Sequence, residues 1–200
     1  MPSKDKMTGL FVPWRRFKRD RRGVAAAEFA LIVPLLLALY LGTMEVSNGV
    51  SLNKRVARAA STIADLVTQQ DITDRAELQA IMDVGASILF PYEADNPEIL
   101  IVGVDIDDDH PEGGQVVWSR QRNSDGSHEE GWTAGNDVWV PERLRIDETF
   151  VVMTRVQVKY LPIVTWVTGR NPDGTRTGLD ISERYWLRPR LVDQIDCTNC

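Results

Sequence analysis

Apolar and polar positions divide this chain into three regions with different patterns. Residues 24–44 are mostly apolar and uncharged except for Glu28, and as a helix these 21 residues would span about 31 Å, which matches the hydrocarbon thickness of a bilayer. Between residues 46 and 67, seven positions, all apolar but one, alternate spacings of four and three, as in a helix with one packing stripe. Beyond residue 99, short β-branched and aromatic runs are separated by turn residues, which indicates strands.

The apolar run from Val24 to Met44 favours a single membrane span. Ten of its side chains favour insertion by roughly 0.3–0.6 kcal/mol each, whereas one carboxylate at mid-bilayer opposes insertion by about 3 kcal/mol. Pro34 removes one backbone donor, which membrane helices tolerate. The alternative is a cleavable secretory signal, but the run is longer than the usual signal core and no small-x-small site closes it.

Charge places the two sides of the span in different compartments. Residues 1–23 contain eight Lys or Arg and two Asp, so the positive-inside rule keeps them in the cytoplasm. Residues 45–200 contain 15 basic and 26 acidic side chains and are expected in the periplasm. We predict a basic leader (1–23), a transmembrane helix (24–44) and an exported domain (45–200). Anionic membrane lipid explains the basic leader, so nucleic acid is not an expected partner.

A heptad-like seam continues the helix beyond the membrane as a stem. Its positions are mostly small residues: Val46, Val50, Asn53, Ala57, Ala60, Ala64 and Val67. Small side chains let helices approach closely, so this seam is a candidate surface for packing against partner subunits. The alternative is that the same stripe rests on the protein's own sheet.

The second half of the chain predicts a helix and an antiparallel sheet. The helix covers about Asp74 to Leu89, with Asp74 as its cap and Pro91 beyond its end. The strand candidates are ILIVGVDI, QVVWSRQR, DVWV, TFVVMTRVQVKYLP and RYWLRPR. In the fourth run, one face should be buried (Val152, Thr154, Val156, Val158, Tyr160) and the other wet (Met153, Arg155, Gln157, Lys159). The expected fold is α+β: a single transmembrane helix that extends into a helical stem, followed by a small antiparallel sheet.

Few residues are candidates for chemistry. The acidic run 105–109, with His110 and Glu112, offers oxygen ligands for calcium but lacks the spacing of a calcium-binding loop, so we expect a solvated turn. His110 and His128 lie in predicted loops, with no neighbouring nucleophile or second metal ligand in a known motif. We therefore expect no catalytic residue, no metal site and no cofactor.

Cys197 and Cys200 form a C-T-N-C pair at the C-terminal end of the sequence. Such a pair can form a disulfide in an oxidising compartment, coordinate zinc or carry out thiol exchange. Zinc usually needs four ligands, and a thioredoxin-like pair belongs at a helix start inside a βαβ unit. We predict a structural disulfide, with an intermolecular bridge as the alternative.

The spacing of Gly23, Val24 and Glu28 resembles the processing site of type IV prepilins and pseudopilins. In that site, a basic leader ends in Gly and a Glu stands at the fifth mature position. The resemblance implies that a prepilin peptidase cuts after Gly23, so that Val24 carries a new amino group that Glu28 of a neighbouring subunit can pair with. The alternative role of Glu28 is to complement the helix dipole in an ordinary anchor.

The longer string RRGVAAAEFALIVPLLL, with the later ERYWLRPRL, resembles the TadE-like family of the tight-adherence (Tad/Flp) pilus systems. The resemblance is strongest over residues 19–60, with further support near 184–191. It implies a pseudopilin-like, single-pass protein of the bacterial inner membrane: a minor pseudopilin, able to join the pilus, that contacts other pilus subunits and the inner-membrane assembly machinery. Related TadG-like proteins share the anchor but remain uncleaved, so an uncleaved assembly scaffold is one alternative. A membrane-tethered envelope enzyme or cation-binding sensor is the other.

Overall fold

The computed structural model describes residues 23–89, 96–107, 111–162 and 178–200. Its elements, in chain order, are α1 Val24–Thr68, β1 Ile72–Thr73, α2 Arg75–Ile88, β2 Glu98–Ile106, β3 Gln115–Arg122, β4 His128–Glu129, a short 3-10 helix Glu142–Leu144, β5 Thr149–Tyr160, β6 Leu179–Leu187 and β7 Asp196–Cys197. The chain divides into two compact units, residues 1–44 and residues 45–200. Residues 1–22 of the leader, Pro91 and His110 lie outside the described residues.

Helix α1 runs without a break for 45 residues, which confirms the predicted long N-terminal helix. It begins after Gly23, whose carbonyl accepts a hydrogen bond from Ala27 N at 3.0 Å. Pro34 lies inside the helix and removes one amide donor without ending it, as apolar helices tolerate. One helix therefore carries both the apolar segment and the stem.

Helix α2 confirms the second predicted helix and its cap. The Asp74 side chain accepts a hydrogen bond from Glu77 N at 2.9 Å, which satisfies one of the free amides of the first turn. The buried residues follow the three-and-four spacing of a helix that packs one stripe on a core: Leu78, Ile81, Met82 and Gly85.

Five strands form one antiparallel sheet in the order β4-β3-β2-β5-β6. Strands β2, β3 and β5 follow the predicted runs closely. Strand β6 begins at Leu179 rather than at Arg184 and ends at Leu187, before the Arg-Pro-Arg sequence. Long helices with a mostly antiparallel sheet confirm the α+β fold.

The main core lies between the helices and the sheet, within residues 45–200. Helix α1 contributes Leu52, Val56, Ala59, Ala60, Ile63 and Val67. The sheet contributes, among others, Ile99, Ile101, Val152, Val156 and Val158. On β5 the buried face is every second residue from Val152 to Tyr160, as the alternation predicts. Each large aliphatic side chain removed from water in this layer contributes roughly 1.5–3 kcal/mol.

A second core covers part of the opposite face of the sheet. Strand residues Leu100, Val102, Val104, Val151 and Met153 pack there with Val138, Val140 and the half-buried Trp132 and Leu144. The prediction that Met153 faces water is therefore wrong, because segment 131–144 folds over this face and Met153 is 0% exposed. The rest of the predicted wet face is partly exposed: Arg155, Gln157 and Lys159.

The run DVWV, residues 137–140, is not a strand, so that prediction is wrong. Asp137 forms an isolated bridge with Gln115 rather than a strand ladder. The side chains of this run do alternate, because Val138 and Val140 are buried. Its backbone, however, forms only scattered hydrogen bonds to the start of β3 and the segment before it, and no continuous ladder. It acts as a cover over the sheet rather than as part of it.

The C-terminal segment returns to the turn between the two helices. Strand β7 pairs in parallel with β1, and Arg190 N donates to Thr68 O at 3.0 Å just before this pair. Ile195 is fully buried, and its carbonyl accepts a hydrogen bond from Trp118 Nε1 at 2.8 Å. The tail is therefore an integral part of the folded unit.

Candidate functional site

The N-terminal half of α1 is apolar and exposed. Its most exposed large side chains, between 65% and 80% exposed, are Phe29, Leu31, Leu35 and Leu39. Within the described part of the chain, this is the one helix long and apolar enough to cross a membrane, and nothing in its most apolar window is buried. A continuous apolar surface of this size is unfavourable in water, so the segment is suited to a membrane anchor or signal.

The residues of the predicted processing site lie at the first turn of this helix. Gly23 directly precedes the first helical residue, Val24, and no atom outside its chain neighbours lies within 4 Å of where a Gly23 Cβ would stand. Glu28 is exposed and follows Val24 by four residues, so the two share one helix face about 6 Å apart along the axis. Within this unit, both the peptide bond after Gly23 and the Glu28 carboxylate are accessible.

The structure divides the packing seam of the stem into two parts. The proximal positions are exposed or partly exposed: Val46, Val50, Asn53 and Ala57. The distal positions are fully buried: Ala60, Ala64 and Val67. The buried stripe of the helix also includes larger side chains that stand one position before a seam residue and reach the sheet, namely Leu52, Val56 and Ile63. The chain's own domain thus covers the distal part of the seam and leaves the proximal part open.

Polar side chains fasten the stem to the rest of its unit. The Tyr160 hydroxyl donates a hydrogen bond to the Glu45 carboxylate at the base of the stem. Nearer its end, the Asp65 carboxylate pairs with the Arg190 guanidinium, an exposed contact of the kind that contributes about 0–1 kcal/mol. Sequence reasoning missed both pairs, because their members are 115 and 125 positions apart and follow no local period.

The C-terminal cysteines help to close the domain. The sulfur atoms of Cys197 and Cys200 are bonded to each other, with Cα atoms 5.6 Å apart. Between them, the Asn199 side-chain oxygen accepts a hydrogen bond from Arg75 N at 2.7 Å, and Arg75 Nη2 donates to Asn199 O at 3.0 Å. The small loop therefore supplies a second cap to helix α2, in addition to Asp74.

One of the two acidic segments, the turn between β3 and β4, is ordered by its own hydrogen bonds. In the turn between β3 and β4, Ser127 donates from N and Oγ to Asp125 Oδ1 at 2.8 Å and 2.6 Å, and these bonds lower the pKa of Asp125. In the run 105–109, Asp105 is exposed, and residues 108–110 lie outside the described part. Among the described residues, no group of three or more His, Cys, Asp or Glu is arranged to hold a metal ion.

His128 contacts helix α2 at the edge of the sheet. Its Nε2 lies 3.5 Å from Asp83 Oδ1, and the same oxygen accepts a hydrogen bond from Arg122 Nε at 3.1 Å. The arrangement joins the end of β3 and the start of β4 to α2. It gives the imidazole a structural contact between the edge of the sheet and α2.

Two arginines of the sheet carry lowered pKa values. For Arg155, burial and the nearby Arg184 lower the pKa, and its guanidinium lies 5.8 Å from the Trp132 ring centroid. For Arg120, which is 4% exposed, burial and the nearby Arg75 lower the pKa. An arginine side chain remains protonated at neutral pH in either case, so both are cations.

The family match among the comparisons with known proteins falls on the N-terminal helix α1. Residues 23–65 match the TadE-like protein family, a range that starts at Gly23 and ends inside the buried part of α1. Searches of curated proteins and of solved structures gave no match. The match thus covers the exposed apolar segment and most of the stem. Residues 23–65 form a TadE-like family domain, and this family suggests that the chain is a protein associated with a Tad pilus.

Proposed function

We propose that this protein is a structural or assembly component of a bacterial Tad-type (type IVb-like) pilus, acting as a membrane-inserted minor pseudopilin through helix packing and protein–protein contacts. One observation carries the proposal. The first half of helix α1 exposes its apolar side chains, whereas the second half of the same helix forms part of the core of residues 45–200. A helix of this kind joins an apolar environment to a folded domain.

Residues 24–44 span the inner membrane in this proposal. Their length matches the hydrocarbon layer, and the basic residues before them keep the N-terminus in the cytoplasm. The folded unit of residues 45–200, with its net charge of −11, then lies in the periplasm. An oxidising periplasm also suits the bonded pair of Cys197 and Cys200.

Glu28 acts as the registering group during assembly. A prepilin peptidase cuts after Gly23, and the new Val24 amino group is a cation close to the membrane surface. A carboxylate in an apolar layer is costly without a partner, so pairing with the Val24 amino group of a neighbouring subunit favours one relative position of the two helices.

The proximal seam provides the lateral packing surface. Val46, Val50, Asn53 and Ala57 continue the same helix beyond the apolar segment and are exposed or partly exposed. Asn53 Nδ2 donates to Glu183 Oε1 at 3.2 Å, so this position also touches β6. Other pilus subunits or the inner-membrane assembly machinery are the partners in this proposal.

A second candidate is an uncleaved TadG-like assembly scaffold. The Gly23 carbonyl accepts the Ala27 amide at the first turn of α1, and a cut after Gly23 removes this acceptor. An intact Gly23–Val24 bond is therefore the better arrangement for a permanent anchor that never leaves the membrane. The two candidates differ in processing, and they share the anchor and the folded domain.

The proposed function is tested by Glu28→Ala, with Glu28→Asp as the matched control that keeps the carboxylate. We expect Glu28→Ala to remain in the membrane fraction after alkaline extraction, since one charge fewer favours insertion, but to lose piliation. Glu28→Asp should retain both. Normal piliation in the alanine variant, at the level of the aspartate variant, would refute the registering role of Glu28.

A further inference from the structure

The outward face of the stem carries positive charge without an ion-pair partner among the described residues. Residues 46–64 contain three basic and no acidic side chains, although residues 45–200 have a net charge of −11. Two of the three, Lys54 and Arg58, are exposed and one helical turn apart, so they share one face of the helix, which we call the basic stem face. Neither forms an ion pair within the described part of the chain. Like charges at this spacing repel each other, and a partner of opposite charge would relieve that repulsion.

Negative charge collects at one edge of the sheet. Strand β4 forms this edge, and β6 forms the other. Residues 123–130, which include β4 and the turn before it, contain three acidic side chains and no Lys or Arg. All three acids are exposed, and we call them the acidic edge: Asp125, Glu129 and Glu130. The basic residues of β3 lie behind them, where Arg120 is 4% exposed and the Arg122 side chain is paired with Asp83. The charge presented to solvent here is therefore mainly negative.

The stem runs beside β6 and in the same direction. Asn53 Nδ2 donates to Glu183 Oε1, in the middle of β6, at 3.2 Å. Further along the stem, Asp65 pairs with Arg190, three residues beyond the end of β6. The residue numbers thus rise together along the helix and the strand. The basic stem face therefore belongs to the β6 side of the folded unit, and the acidic edge belongs to the β4 side.

The strand register places the two charged surfaces at one level. One row of paired residues crosses all five strands: His128, Arg122, Ile99, Val156 and Glu183. At one end of this row, Glu183 contacts Asn53, the residue before Lys54. At the other end, Glu129 directly follows His128. Lys54 and Glu129 therefore stand at about the same level along the strands, on opposite sides of the unit. Two copies side by side, with no shift along the strands, would bring the acidic edge of one against the basic stem face of the other.

A shared membrane favours this side-by-side contact over a twofold one. If two copies paired their β6 edges antiparallel, their stems would run in opposite directions, because each stem runs with its own β6. Two such stems could not both start from one membrane, as the proposed anchor requires. A head-to-tail contact, in which two different surfaces meet, keeps the stems parallel and can repeat along a row of copies.

Anionic lipid head groups do not suit the basic stem face as a partner. Arg58 follows Glu45, the first residue of the folded unit, by 13 residues, which is roughly 20 Å along a helix. Attraction to a charged membrane surface falls off within about one Debye length, roughly 8–10 Å at moderate ionic strength. An acidic protein surface at the level of the stem is the better complement.

We propose that the basic stem face of one copy docks head to tail on the acidic edge of a second copy of this chain, so that Lys54 and Arg58 face Glu129 and Glu130. The inference names a partner for the lateral packing of the stem, and it rests on the proposed function for the common direction of the stems. Its test measures contact between copies and needs neither processing at Gly23 nor a pilus, so it can fail while the proposed function stands.

The test is carbodiimide cross-linking of the purified full chain in phosphatidylcholine vesicles. This reagent joins a lysine amine to a carboxylate only where the two groups are in contact. We expect a cross-linked dimer on a reducing gel, with Lys54 joined to Glu129 or Glu130, and a yield that falls by at least about threefold in high salt. Peptide mass spectrometry on a mixture of isotope-labelled and unlabelled protein shows whether the link joins two copies. Lys54→Arg should abolish this link, because it keeps the charge but removes the reactive amine.

Charge reversals that keep the Lys54–Glu129 pair assign the contact to the two surfaces. Arg58→Glu and Glu130→Lys should each lower the yield of the dimer by at least about threefold. An equimolar mixture of these two variants should restore the yield, because the reversed charges then face each other. Glu142→Lys is the matched control, since it makes the same charge change at an exposed acid outside the acidic edge, and it should leave the yield unchanged.

Circular dichroism verifies that each variant is folded, and the two reversals lie on different elements, so either one tests the contact if the other fails to fold. Three results would each overturn the proposal: no dimer of the parent protein, a yield that the charge reversals do not change, or a mixture that yields no more dimer than each variant alone. A Lys54 link that forms only in native membranes, and only to another protein, would also exclude a second copy as the occupant.

Discussion

The hydroxyl of Tyr160, the last residue of β5, donates a hydrogen bond to the carboxylate of Glu45, the first residue of the unit that follows the exposed apolar segment. Tyr160 is only 9% exposed, and its ring belongs to the main core. The contact therefore fixes the base of the stem to the far end of a central strand. The contribution of this hydrogen bond to the free energy of unfolding can be measured.

We expect Tyr160→Phe to lower the free energy of unfolding by about 1–2 kcal/mol, because the ring still fills the core while the Glu45 carboxylate loses the hydrogen bond from this hydroxyl. Tyr185→Phe is the control, since Tyr185 is 40% exposed, and it should change stability by less than about 0.5 kcal/mol. Urea unfolding of the full chain in detergent, followed by near-ultraviolet circular dichroism, measures both. Equal losses in the two variants would show that the Glu45 contact contributes nothing specific.

The packing of α2 on α1 depends on a close approach at Gly85. A Cβ at this position would overlap the side chain of Ile63, which is fully buried in α1. We expect Gly85→Ala to destabilise the protein by about 1–3 kcal/mol through overpacking, despite the better helix propensity of alanine. Gly49→Ala, with no atom within 4 Å of the added carbon, should instead be neutral or stabilising by up to about 1 kcal/mol.

Thermal unfolding of the two alanine variants decides this point. A melting temperature for Gly85→Ala at or above that of the parent protein would mean that Ile63 and its neighbours repack at little cost. The helix pair would then be less tightly determined than the close contact at Gly85 implies.

Reduction of the Cys197–Cys200 bond should weaken the domain modestly. A closed loop of four residues restricts the unfolded chain by an amount worth about 2 kcal/mol in the chain-entropy model. We expect the urea midpoint of the parent to fall on adding a thiol reductant, to the value of the Cys197→Ser/Cys200→Ser variant. The variant itself should not respond to the reductant.

A parent midpoint that does not change on reduction would contradict a stabilising role for this disulfide. A dimer on a non-reducing gel, converted to monomer by the reductant, would instead identify an intermolecular bridge.

If the proximal seam contacts other pilus subunits, a substitution in it should weaken their association with this protein. Val46 is 68% exposed, so Val46→Asn should leave stability unchanged within about 0.5 kcal/mol while it reduces co-purification of other pilus subunits. Ser47→Asn introduces the same side chain at an exposed neighbouring position outside the seam and should have no effect. Unchanged co-purification with Val46→Asn would exclude this part of the seam as a subunit contact.

Local periodicity explains which parts of the fold were predictable. The apolar run of α1, the Asp74 cap of α2 and the alternation along β5 are each encoded within a few turns or a few strand residues, and all three are present in the structure. These features depend on backbone geometry and neighbouring side chains, so a sequence pattern suffices.

The features that the sequence could not predict depend on segments distant in the chain that cover one another in the fold. Met153 reads as a solvent-facing residue because nothing local indicates that segment 131–144 crosses over it. For the seam, the sequence left two alternatives open, and the structure shows that the chain's own domain buries Ala60 and Ala64.

The central claim, a processed pilus subunit, is tested most directly by the N-terminus of the mature protein. The measurement is the intact mass and N-terminal sequence of the protein isolated from membranes of cells that contain the cognate prepilin peptidase. We expect a chain that begins at Val24, with Glu28 as its fifth residue. A chain that retains residues before Val24 would contradict processing at Gly23 and would favour the uncleaved scaffold instead.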